Sequence, residues 1–198
     1  MPIQLGTSIN NHCKNEIFYY VVGIALTWVL LFSFNNFAFS HFAHSAYANW
    51  IFLPAGVRLV AILLFDSIAI LGLFVGSIIT SDFTHLNLTN VIVISAISAI
   101  NPFIALNISK YFLKINSQLI NLQPSQLLIL CSISALFNGL AHTIYLNFSN
   151  LENAVLANLI TMMVGDFLGC LIILYVFSIG IKLTRKYVAT NRDDHQND

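Results

Sequence analysis

Apolar residues along this chain gather into long, nearly unbroken runs, and polar residues are confined to short stretches between them. This is the pattern of helices immersed in lipid rather than of amphipathic helices with one wet face. Residues 17–39 predict a first spanning helix, after a polar leader over residues 1–16 that is expected to be loose. The run is too long for a signal-peptide core, so it reads as a retained span. A short loop over residues 40–49 carries His41, His44 and Tyr47. Farther on, residues 90–113, interrupted by Asn101–Pro102, predict another span, and residues 125–148 and 153–181 predict two more. Pro124 suits the start of the first of these two. Polar connections fall at 81–89, with Asp82, His85 and Asn87, and at 114–123.

The run from Trp50 to Thr80 is the one that fits no single crossing. As one helix it would be about 46 Å long, against a hydrocarbon core of about 30 Å. Divided at Asp66–Ser67 it gives two short helices of about 24 Å each, which thinning or tilt accommodates. A hairpin is therefore expected, with one tilted crossing as the alternative, and the count becomes about six spans in an all-α polytopic transmembrane bundle.

Composition agrees with the pattern: 58% of the 198 residues are hydrophobic and only 8% are charged, with mean hydropathy +0.81. Soluble domains carry about a quarter charged residues, so the chain reads as an integral membrane protein surrounded by a lipid bilayer. One membrane domain over residues 17–184 is expected, with a charged tail over 185–198 expected to be disordered, and no soluble catalytic or signalling domain. Zero net charge leaves no basic surface for phosphates, which excludes nucleic acid as a partner. Cys13, Cys131 and Cys170 form no CxxC pair, so neither a disulfide framework nor a zinc site is indicated. The basic residues Lys110, Lys114, Lys182, Arg185, Lys186 and Arg192 follow the fourth and sixth spans. The positive-inside rule then puts both termini in the cytoplasm, with Lys14 on the same side.

Candidate chemistry lies where polar groups interrupt the apolar runs. Arg58, one turn after Pro54, is a cation at membrane depth and needs a partner or water inside the bundle. Pro54 and Gly56 stand where a helix can loosen and turn carbonyls toward a cavity. At about 1.5 Å per residue, His142, Arg58, Asn138, Asn101 and Asp166 fall in one layer between about 9 and 20 Å from the outer boundary. We therefore expect Arg58 to meet Asp166, with Asn101, Asn138 and His142 around them, as a ligand-binding layer or as a structural lock. Asn101–Pro102 also reads as a tolerated kink, and His142 as a hydrogen-bonded interior histidine, since no second ligand stands at helical spacing. His41 and His44 are three apart, which alone is weak metal evidence. No metal or cofactor is expected, and no nucleophile–base or phosphate-cradling motif suggests an enzyme. Gly72-xxx-Gly76 and Gly165-xxx-Gly169 let helices approach closely.

FLPAGVRLVAILLF (residues 52–65), GLFVGSIITSD (72–82) and Val164-Gly165-Asp166-Phe167-Leu168-Gly169 together resemble the MASE-type membrane-associated sensor domains of bacteria. The resemblance rests on Pro54, Ala55, Gly56, Gly72, Gly76, Gly165, Asp166 and Gly169, and does not extend to Arg58. It implies a sensory module in a bacterial inner membrane. Such sensors commonly precede a kinase or cyclic-dinucleotide domain, so this chain is expected to act through a membrane or cytoplasmic protein partner. Six helices in this length also resemble the substrate-binding subunits of vitamin importers, whose first helix packs on a partner through small residues, here only Gly23 and Ala25. A structural subunit of a membrane complex is the third expectation.

Overall fold

The computed structural model describes residues 5–45, 47–84, 86–113, 123–151 and 154–194. Six α-helices and one short 3-10 turn (Ser40–Phe42) make up the fold, with no strand among the described residues. The helices are α1 (Leu5–Phe39), α2 (Pro54–Phe65), α3 (Ile68–Ile79), α4 (Leu88–Phe112), α5 (Pro124–Phe148) and α6 (Val155–Asp194). Four segments are long and apolar enough to cross a membrane: Asn15–Phe42, Leu88–Phe112, Pro124–Phe148 and Val155–Thr184. The chain is a multi-pass membrane protein.

Helix ends follow local chemistry. Asn87 caps α4 by accepting the Asn90 N–H at 2.8 Å, which satisfies one of the first-turn donors that have no partner within the helix. Pro124 opens α5 behind a reciprocal Gln123–Gln126 capping box. Pro54 opens α2 in the same first-turn position. Pro102 lies inside α4 without ending it. Its missing N–H leaves the Ser98 carbonyl without its usual helical donor.

The central run is the expected hairpin, turned at Asp66–Ser67. Asp66 adopts φ 50°, a conformation that favours glycine. Each arm has 12 helical residues, about 18 Å, and the non-helical residues 50–53 lead into the first arm. Pairings across the bundle fix the directions. Tyr20 stacks near Phe65 and Asn35 reaches Leu53, so α2 runs opposite to α1. Gly72 meets Ile24 and Gly76 meets Trp28, so α3 runs with α1. Asn90 meets Tyr145 while Asn101 meets Asn138, and Thr143 meets Met162 while Asn138 meets Asp166, making α4, α5 and α6 successively antiparallel. The helices thus alternate up and down, and both chain ends leave at one end of the bundle, opposite the 40–53 loop.

Leu59, Ile62, Ala69, Leu73, Leu106, Leu130, Cys131 and Cys170 fill the middle, while Leu30, Phe37 and Ile144 point outward. Lipid is as apolar as these outward side chains, so helix association rests on close packing and internal hydrogen bonds.

Two boundaries differ from expectation. The leader is helical from Leu5, and α6 continues to Asp194 instead of ending before a disordered tail. Once a long helix exists, each added residue costs little, so polar flanks extend it without any apolar pattern of their own. His85, Lys114 and residues 195–198 lie outside the described residues.

Candidate functional site

The site begins with the segment that precedes α2. Residues 49–53 run along α6, where Phe52 N–H donates to the Gly165 carbonyl at 3.1 Å. A Cβ at Gly165 would run into the Asn49 carbonyl, and one at Gly169 into that of Phe52. Both glycines are therefore needed to seat this strip of backbone. Their role differs from the helix–helix crossing expected of a small-residue motif, which describes Gly72 and Gly76 against α1 well. Gly56 completes the seat, pressed against Ile173 and the Gly169 carbonyl. Asn35 Oδ1 accepts the Leu53 N–H at 2.8 Å, anchoring the strip to α1.

One turn into α2, Arg58 points inward and is 3% exposed. Its Nη2 lies 2.8 Å from Asp166 Oδ2, and its Nη1 donates to Ser98 Oγ at 3.1 Å. The guanidinium carbon is 5.8 Å from the Trp28 ring centre and 5.6 Å from that of Phe52. These distances are within reach of a favourable cation–π contact. The two rings are 6.3 Å apart in an edge-to-face arrangement, and Trp28 is held in turn by donating Nε1–H to Thr80 Oγ1 at 2.9 Å.

Asp166, 4% exposed, accepts a second hydrogen bond at Oδ2 from Asn138 Nδ2 at 2.5 Å. Asn138 Oδ1 faces Asn101 Nδ2 at 3.5 Å. His142 Nδ1 lies 3.0 Å from the Asn138 carbonyl. A carbonyl only accepts, so Nδ1 carries the proton. All five expected residues, Arg58, Asn101, Asn138, His142 and Asp166, thus form one connected network between α2, α4, α5 and α6. Buried charge is tolerable in this way only, because an ion pair in low dielectric needs its remaining donors and acceptors satisfied.

Above the network opens a cavity of about 380 Å³. Arg58, Asp166, Asn138 and His142 form its floor, and Phe32, Phe39, Phe52, Asn35, Asn36 and Asn49 line its walls. Its mouth lies at the end of the bundle that holds the 40–53 loop and the Ser81–Asp82 turn. Asn101 does not reach the cavity and stands behind Asn138 as a brace. His41 and His44 do not join the floor, and no group of three His, Cys, Asp or Glu suited to a metal occurs among the described residues.

Sequence reasoning missed Ser98, Trp28, Phe52 and Asn35. Ser98 is three residues before Asn101, on the same helical face, which was its available signal. Trp28 and Asn35 continue a stripe from Ile24 along α1, but an indole or amide inside an apolar run does not reveal which way it faces.

No family model, curated protein or solved structure matches this chain.

Proposed function

We propose that this protein is a membrane-embedded ligand-binding module of sensory type, which admits a small molecule to the cavity above Arg58 and Asp166 and acts through a protein partner. The observation that carries the reading is the cavity itself: a volume in the range of small-molecule sites, with aromatic walls and a few convergent polar groups at its floor. A structural lock alone calls for a paired charge but not for an open chamber above it. The resemblance of residues 52–65, 72–82 and 164–169 to MASE-type sensor domains supports the same reading, and with it our proposal of a bacterial inner membrane as the setting. The basic residues near the ends of α4 and α6 favour cytoplasmic termini and a cavity that opens outward.

A second reading, the binding subunit of a small-molecule importer, is favoured by an apolar crevice of about 430 Å³ between α1 and α6, floored by α2. Gly23 and Thr27 line it, and a Cβ at Gly23 would meet nothing within 4 Å, which suits close approach by a partner helix. Uptake into vesicles that requires an added ATPase partner would decide for this reading over the sensor.

Labelling tests the cavity and its orientation. Asn36→Cys in a Cys13→Ser background, treated with a membrane-impermeant maleimide, is expected to react from outside intact cells. Reaction from the cytoplasmic face only, or no reaction on either face, contradicts the outward-opening cavity.

A further inference from the structure

Resting on the reading of the cavity as a ligand site, we infer that its ligand is an uncharged, hydrogen-bonding molecule with a flat apolar portion. Arg58 and Asp166 then serve as counter-ions to each other and not to the ligand. The guanidinium is already engaged at Nη2 by Asp166, at Nη1 by Ser98, and beside the Trp28 and Phe52 rings. Asp166 Oδ2 is engaged by both Arg58 and Asn138. The floor therefore holds one positive and one negative charge, 2.8 Å apart, and sums to zero.

The other acid on the lining is Asp82. It is exposed at the mouth, and its Oδ1 accepts from both Thr84 N–H and Thr84 Oγ1–H. Solvent and salt screen a charge in that position. On the walls, Asn36 and Asn49 offer neutral amides that donate and accept alike. Phe32, Phe39 and Phe52 supply flat apolar surface. A ligand with net charge would lose its hydration here and find only paired or screened charges, a penalty that neutral analogues of the same shape avoid. A zwitterion would have to break the Arg58–Asp166 contact and the Asn138 bond together.

The test uses series that share a scaffold and differ in charge, measured by equilibrium binding to the full chain in lipid nanodiscs. One is adenosine with adenosine 5′-monophosphate and 5′-amino-5′-deoxyadenosine. Another is nicotinamide with nicotinate and 1-methylnicotinamide. Phenylalanine serves as the flat zwitterion. The expected result is binding by a neutral member at least about tenfold tighter than by its charged relatives, lost in Asn36→Trp, which fills the mouth. Tighter binding by an anion, a cation or phenylalanine overturns the inference and leaves the cavity reading standing. Binding by no probe also overturns the inference, and the maleimide labelling then decides separately whether the outward cavity stands.

Discussion

Ser98 shows how a side chain of no distinction in sequence becomes part of a charge site. Its hydroxyl is the acceptor for Arg58 Nη1, and a guanidinium N–H left without an acceptor at this depth loses a charge-assisted bond. Ser98→Ala is expected to lower stability by about 1–3 kcal/mol, measured by reversible unfolding in mixed micelles; no loss would show that the bond carries nothing. Arg58 and Asp166 themselves were legible because a full charge is rare inside apolar runs and cannot be left unpaired there. Their depths, counted along separate helices, fall in one layer about 8 Å apart, a gap that an arginine side chain largely covers. Trp28 and Phe52 were not legible, because aromatic residues are ordinary in spanning helices and only the rotation of α1 and the path of residues 49–53 turn them toward Arg58.

At the scale of elements, the hairpin was legible from length and one polar break, since a mainly apolar run of 31 residues exceeds one crossing and Asp66–Ser67 divides it. The strain at its tip was not, because φ depends on the turn that closes. Asp66 holds φ 50° without the freedom of glycine. Asp66→Gly is therefore expected to raise stability by about 1 kcal/mol, the relief of strain outweighing the added freedom of the unfolded chain; a loss of similar size would mean that the carboxylate is needed at the tip. The glycines of α6 argue the opposite way. Gly169→Ala forces a methyl group against the Phe52 carbonyl and should cost at least about 2 kcal/mol. Gly23→Ala, which meets open space, should stay within about 1 kcal/mol of the parent. Equal effects at the two positions, compared by the same unfolding assay, would contradict the seating of residues 49–53 on α6. The small-residue spacing announced close approach, but not that the partner is a non-helical strip of backbone. The helical flanks at Leu5 and Asp194 were illegible for a simpler reason: polar sequence carries no period that separates a continued helix from a loose end.

For the molecule as a whole, the apolar runs defined a membrane bundle, and the alternating directions of its six described helices follow from short connections between successive spans. The cavity and the α1–α6 crevice were beyond sequence reasoning, since both are spaces between helices and no residue pattern marks an absence of packing. At the floor of the chamber an ion pair joins the hairpin to the last helix. The most direct test is to compare Asp166→Ala with the double variant Arg58→Leu, Asp166→Leu by reversible unfolding. Removing the carboxylate alone strands a buried guanidinium and should cost about 3–5 kcal/mol, whereas replacing both charges by apolar groups should cost less. A single variant that loses no more stability than the double would contradict the pairing on which the site is built.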